Sequence, residues 1–310
     1  MIPTEPINQI RLFGLDKYFS EMIYLYDNDK LPSKILFSGQ KGLGKSTLSY
    51  HFVNYILSRD EEFPYDYNGF KINPNNHSFK TVLNRSNPNF ILIDIDVDKK
   101  FIDINQIRKL ISDLNKSSFN TKPRFVLIDN IEFLNVNSVN ALLKILEEPS
   151  KNTHFILINN NKKILPTLFS RCINFKITLS KQEISIITDK LLDGKLDDYI
   201  NKDLISYYVS PGNIYNLSLF GKNNKYDLAN IDLKNFLNIL IDNKHYKKDN
   251  LIKSMIFDLI ELYFNKISYS FSSKISDKYS YFLKRISDTR NFNLDDETLF
   301  LEFKDNILNG

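Results

Sequence analysis

The sequence predicts an α/β chain: a P-loop domain built on a parallel sheet, followed by a small helical domain and an all-helical third part. Three observations predict it. The stretch Gly39-Gln40-Lys41-Gly42-Leu43-Gly44-Lys45-Ser46 matches GxxxxGK[ST] in full, between the apolar run Ile35-Leu36-Phe37 and a helical pattern carrying Leu48, Phe52, Tyr55 and Ile56. The mainly apolar stretch 90–95 and the continuous apolar runs 125–128 and 155–158 alternate with amphipathic helical spacing, as buried parallel strands do. Beyond residue 180 the apolar residues recur at helical spacing only.

A chain of 310 residues holds two or three domains and can bury a sizeable core. Its 42% hydrophobic and 25% charged content is ordinary for a soluble protein, and no apolar run approaches a membrane span. Residues 1–6 lack the basic and apolar regions of a signal peptide, so a cytoplasmic protein is expected. The net charge of +4 is compatible with nucleic acid nearby without requiring it. A single cysteine, Cys172, excludes an internal disulfide and a cysteine-rich zinc site, and the four histidines show no ligand spacing. No zinc is expected.

In chain order, 15–26 has amphipathic spacing for a first helix. Residues 61–89 mix aromatics, asparagines and prolines without a period and read as an irregular insertion. Asp103 with Gln106 forms a capping-box pattern ahead of Ile104, Ile107, Leu110, Ile111 and Leu114. Val139, Leu142, Leu143 and Leu146 share a helix face that Pro149 ends. Residues 173–177 alternate like a last strand, and Ser180 with Glu183 caps the next helix. Residues 221–225 read as a linker. The stripe Leu251, Ile252, Met255, Ile256, Leu259, Ile260, Tyr263, Phe264 and Ile267 is a core or a protein interface. Tyr279, Phe282, Leu283 and Ile286 mark another helix, and Asp295-Asp296-Glu297 opens a last one.

The P-loop carries the chemistry. Its glycines, Gly39, Gly42 and Gly44, let backbone amides curl around phosphates. Lys45 would reach the β and γ phosphates, and the Ser46 hydroxyl would join a magnesium ion. With Leu43 and Thr47, these are the expected nucleotide-binding positions. Asp129, at the end of Phe125-Val126-Leu127-Ile128, would hold the same magnesium; the alternative is a carboxylate facing solvent.

A second pair of patterns points to a family. Ala141-Leu142-Leu143-Lys144-Ile145-Leu146-Glu147-Glu148-Pro149 and Ser170-Arg171-Cys172 resemble the two signatures of AAA+ clamp-loader subunits, including those of bacterial DNA polymerase III, over about 12–219. The resemblance implies a RecA-like nucleotide domain at 1–178, a helical lid at 179–222 and a helical collar at 223–310. It implies ATP or ADP with Mg2+ as cofactor. The implied partners are gamma/tau-like and delta-like subunits, with the sliding clamp and primer-template DNA reached through the complex.

Residue by residue, the resemblance makes Asn159 a polar sensor of the γ phosphate, although a turn-forming asparagine fits equally well. Leu12-Phe13-Gly14 would lie against the adenine, or simply pack on the core. Arg171 would be an arginine finger given to a neighbouring subunit, near the carboxyl end of the sheet; the alternative is an internal salt bridge. Two departures matter. Asn130 stands where active members carry a glutamate, with Glu132 able to point the same way only if the strand continues. Gly212-Asn213-Ile214-Tyr215 lacks the arginine that lids bring to the phosphates. The expected function is a stator that binds nucleotide, hydrolyses it weakly and completes a neighbour's site. The rivals are a motor ATPase subunit and an unrelated P-loop ATPase; no basic-aromatic stripe supports a nucleic-acid binder.

Overall fold

The computed structural model describes residues 5–96, 99–116, 120–150, 152–206, 209–247, 250–268, 273–292 and 295–309. Residues 1–4 of the segment read for a signal peptide, and the Leu251 side chain, lie outside the described residues. The chain divides into two compact units: Met1–Gly194 with Ser210–Asn216, and Lys195–Val209 with Leu217–Gly310.

The first unit is built on five strands: β1 (Lys34–Ser38), β2 (Phe90–Ile93), β3 (Arg124–Ile128), β4 (Thr153–Asn159) and β5 (Ile173–Lys176). They lie in the order β2-β3-β4-β1-β5, and every neighbouring pair is parallel. The apolar runs are continuous because both faces of the sheet are covered. Successive side chains go to opposite cores. Ile35, Phe37, Phe125, Leu127, Ile156 and Ile158 enter one core, with Phe19 and Phe52. Leu36, Val126, Ile128, Phe155 and Leu157 enter the other, with Leu110 and Leu142.

Helices α1 (Asp16–Asp27), α2 (Lys45–Leu57) and α3 (His77–Leu83) contribute to the first core. Helices α4 (Ile104–Leu114), α5 (Val136–Glu147) and α6 (Pro166–Phe169) contribute to the second. The Asp103–Gln106 capping box forms on α4, and the Ser180–Glu183 box opens α7 (Lys181–Leu192). Each joins side chain to backbone in both directions, so two otherwise orphaned amides are satisfied at each helix start.

The insertion is irregular over 61–76 but contains one regular element, α3. Asn76 caps α3, and the Glu61 carboxylate accepts from Ser78 N through both oxygens at 3.1 Å. Tyr65 is buried and stacks on Phe19 with ring centroids 5.2 Å apart. The Arg59 guanidinium lies over the Tyr55 ring at 4.8 Å. A helix of seven residues is too short to show a period, which is why spacing missed it.

Helix α8 (Pro211–Asn224) begins in the first unit and ends in the second. It runs through Gly221, so 221–224 is helix and not linker. The glycine serves packing: a Cβ there would stand 2.5 Å from Leu228 Cδ1. The second unit continues with α9 (Leu233–Asp242), α10 (Asn250–Ser268), α11 (Ser273–Phe292) and α12 (Asp296–Phe303). Phe257, Phe264, Phe282, Phe300 and Phe303 are all buried in its core, and Phe264 meets Phe303 with centroids 5.5 Å apart. The apolar stripe of α10 is therefore core on its Ile256, Leu259, Ile260 and Phe264 side. Asp295 caps α12 by accepting from Glu297 N and Thr298 N.

Candidate functional site

The site lies at the carboxyl ends of β1, β3 and β4, where open parallel sheets place their ligands. β1 runs into the P-loop, and α2 begins at Lys45. Gly42 and Gly44 hold φ of +84° and +86°, which a side chain would strain. Lys45 is 3% exposed; its ammonium donates to Gly39 O at 2.9 Å and to Gln40 O at 2.7 Å. Burial pulls its pKa down to about 8, partly offset by the Asp129 and Glu132 carboxylates.

Ser46 Oγ donates to Asp129 Oδ2 at 2.5 Å, so the two expected magnesium ligands already touch. Burial pushes the Asp129 carboxyl up to about 6, against the Ser46 hydrogen bond, which favours its charged form. A hydroxyl and a carboxylate are hard oxygen donors, the set a magnesium ion uses when phosphates and water complete its shell. The residues present fit a magnesium nucleotide.

The surroundings of Asp129 differ from the strand-based expectation. Asn130 has φ +57° and ψ 45°, a left-handed residue, and Ile131–Phe133 is a short 3-10 turn. The strand does not continue, so Glu132 does not point alongside Asn130. Its Oε2 instead accepts from Asn160 N at 3.3 Å, and its Oε1 is buried without a partner. Asn159 is buried, and its side chain closes a turn: Nδ2 donates to Lys162 O and Oδ1 accepts from Lys162 N, both at 2.9 Å. Of its two readings, the turn is the one seen.

The start of α8 rests on the P-loop. Gly212 N donates to Gly42 O at 3.0 Å, and a Cβ on Gly212 would stand 2.9 Å from Gly42 Cα. A Cβ on Gly42 would collide with Ser210 Oγ. Two glycines are needed where the backbones approach this closely. At the other side, Leu12 is buried and its amide donates to Phe70 O at 3.0 Å, while a Cβ on Gly14 would collide with Ile187 of α7.

Arg171 lies apart from these groups. It donates to Glu147 Oε1 at 2.6 Å, at the end of α5, and to Thr167 O at 3.0 Å in α6. It precedes β5, which runs parallel to β1 with Ile173 opposite Ile35. It therefore stands at the amino end of the sheet, not the carboxyl end as expected, because the P-loop follows β1 whereas Arg171 comes before β5.

The family described as "DNA polymerase III, delta subunit" matches residues 15–181, more than half of the chain. The chain belongs to that family. It is 29% identical over 178 residues to the DNA polymerase III subunit delta' of Buchnera aphidicola (Schizaphis graminum), covering 56% of this chain and 51% of that one. It is 29% identical over 139 residues to the Pseudomonas aeruginosa delta', covering 44% and 40%. It is 27% identical over 201 residues to the gamma/tau subunit of Mycoplasma genitalium, covering 64% and 31%. The chain thus spans about half the length, or less, of these curated relatives. Among solved structures, a gamma subunit-related protein of Thermotoga maritima superposes with a TM-score of 0.49 at 17% identity, covering 95% of this chain and 96% of that one.

The family's motif positions Gly39 to Thr47 and Asp129 come together in one place; Arg171 does not join them. Sequence reasoning missed Asp94, whose side chain accepts from Asn130 Nδ2 at 2.8 Å. A signal was present. Ile91-Leu92-Ile93-Asp94 repeats the pattern Val126-Leu127-Ile128-Asp129, and the two runs pair residue for residue.

Proposed function

We propose that this chain is a clamp-loader subunit of DNA polymerase III that acts as a stator. It binds ATP or ADP with Mg2+ through Gly39, Gly42, Leu43, Gly44, Lys45, Ser46, Thr47 and Asp129, with Asn159 shaping the β4 end of the site. It hydrolyses the nucleotide weakly or not at all, and offers Arg171 to the γ phosphate of a neighbouring ATPase subunit. Its partners are gamma/tau-like and delta-like subunits, and through them the sliding clamp and primer-template DNA, in the cytoplasm. Functionally, 1–178 is the nucleotide domain, 179–222 the lid and 223–310 the collar that joins subunits.

The observation that carries this reading is Asn130. An amide in a left-handed turn follows Asp129, beside an intact P-loop. Lys45 and the Ser46–Asp129 pair supply positioning and charge for the phosphates, the main protein contributions to phosphoryl transfer. An amide orients water but accepts no proton, so binding outlasts turnover. Arg171, at the opposite end of its own sheet from the P-loop, serves a phosphate in another subunit.

The test is purified full-length protein with Mg·ADP and Mg·ATP. Binding is expected without steady-state hydrolysis above background. Robust hydrolysis by the monomer would overturn the stator reading in favour of a motor subunit.

A further inference from the structure

Side chains at the ends of three neighbouring strands form a chain that the nucleotide motifs do not account for. Asp94 ends the apolar run of β2, Asn130 follows β3 and Asn160 follows β4. Asn130 Nδ2 donates to Asp94 Oδ1 at 2.8 Å, and Asn160 Nδ2 donates to Asn130 Oδ1 at 2.8 Å. The Asn130 amide is thus engaged on both sides. Its backbone N–H donates to Asp129 Oδ1 at 2.8 Å, so the chain abuts the carboxylate that Ser46 holds.

Two constraints meet at position 130. Its φ of +57° favours asparagine, aspartate or glycine. Its neighbour Asp94 accepts a hydrogen bond there, and two carboxylates facing each other across that distance would repel when both are ionised, or bind a proton to relieve it. An asparagine meets both constraints; a glutamate meets neither.

We propose that Asp94 is a positioning residue of the nucleotide site: it carries the negative charge opposite position 130 and, through the Asn130 amide, fixes Asp129 and the Asn160 side chain. This rests on the nucleotide-binding reading above. The amide at 130 is then one half of an exchange, with the carboxylate kept on β2. The exchange can be reversed at the pair itself, while Ile95 N, which donates to the same Asp94 Oδ1 at 2.7 Å, loses that acceptor. The amide introduced by Asp94→Asn would donate to the carboxylate introduced by Asn130→Asp, which would still accept from Asn160. Aspartate also tolerates the left-handed backbone.

The experiment compares four full-length proteins: wild type, Asp94→Asn, Asn130→Asp and the double variant. Each is measured at one pH for thermal melting and for ADP affinity with and without Mg2+. Asn130→Asp is expected to lower the melting temperature and to weaken Mg2+-dependent ADP binding on the order of tenfold. The double variant is expected to recover the affinity to within about twofold of wild type and to melt above Asn130→Asp, short of wild type by the lost Ile95 hydrogen bond. A double variant as impaired as Asn130→Asp would overturn the pairing. Recovery of melting, with Mg2+-dependent affinity unmoved in every variant, would reduce the pair to a structural contact and overturn the positioning role. A wild type that binds no ADP would overturn the nucleotide reading and the site role together, while the melting cycle would still decide whether the two residues are coupled.

Discussion

Lys45 and His51 both lie on α2, both are buried, and burial lowers the pKa of each, the first at a loop it serves and the second in the core. The Lys45 ammonium is occupied by two carbonyls of the loop it serves, and burial has already lowered its pKa to about 8. Removing only the donor leaves the two loop carbonyls unsatisfied, which destabilises. Lys45→Met is therefore expected to melt somewhat below wild type without nucleotide, and to lose Mg·ADP affinity by on the order of 100-fold, since charge-assisted bonds to phosphate go with it. Calorimetry of both forms checks it, and unchanged affinity would remove Lys45 from the site. His51 is a core histidine. Gln9 O can only accept, so Nε2 carries the proton that it donates at 2.9 Å, and Nδ1 accepts from Tyr65 OH at 2.8 Å. Burial depresses its pKa to about 4, whereas the unfolded chain protonates it below about 6.5. A depressed pKa means stability that is present above 6.5 and lost as pH falls toward 4, by roughly 3 kcal/mol in full. Urea midpoints from pH 7 to pH 4 should fall for wild type. His51→Gln keeps a donor for Gln9 O and should show a flatter dependence; equal slopes would assign the acid sensitivity elsewhere.

At the level of elements, helix starts were the most legible features. The Asp103 and Ser180 boxes formed as read, because a capping box is a local bargain between four residues and needs nothing from the rest of the fold. Removing one is a clean test: Asp103→Ala should cost about 1 kcal/mol. Chemical unfolding of the two proteins measures it, and no change would mean that α4 is held by Ile107, Leu110 and Leu114 alone. The strands of the central sheet were legible for a different reason. The runs of β1 to β4 are largely apolar, which only a sheet covered on both faces sustains, whereas the edge strand β5 was read from alternation. What spacing could not show were features set by distant partners. α3 is held at its start by Glu61 and by Asn54 of α2, which pairs with the capping Asn76, and Gly221 is explained by Leu228. Of the site, the P-loop and Asp129 were legible because strand, loop and helix are consecutive. The Asp94–Asn130–Asn160 chain was not, because it crosses three strands that are neighbours only in space. The left-handed turn at Asn130 likewise overturned the condition on which Glu132 would have pointed alongside it.

For the whole molecule, the decisive question is what Arg171 does when the chain is assembled. Here it is paired with Glu147, and that pairing does not exclude a finger. The two side chains are 33% and 55% exposed, and surface ion pairs of this kind are worth about 0–1 kcal/mol. A neighbour's phosphate, carrying more charge and accepting the planar fork, outcompetes one exposed carboxylate. Large apolar side chains beside it, Phe169 and Ile173, are 48% and 56% exposed, as on a surface that a partner covers. Its position at the amino end of β5 keeps it from its own P-loop, so its loss should not touch this subunit's own nucleotide affinity. Arg171→Ala is therefore expected to fold and bind Mg·ADP as wild type does. It should lower the ATPase rate of the reconstituted loader on clamp and primed DNA. An essential finger contributes roughly 10³–10⁵ in rate at its site. If only one of several sites is served, the total rate should fall by less than that. Arg171→Lys should rescue poorly, since a point charge replaces a fork. Glu147→Gln separates this from a structural role. If Arg171 only braced α5 against α6, removing either partner would have the same effect. If it is a finger, Glu147→Gln frees it and leaves the assembled ATPase at or above wild type. Equal losses from both variants, or wild-type activity with Arg171→Ala, would show the pair to be a brace.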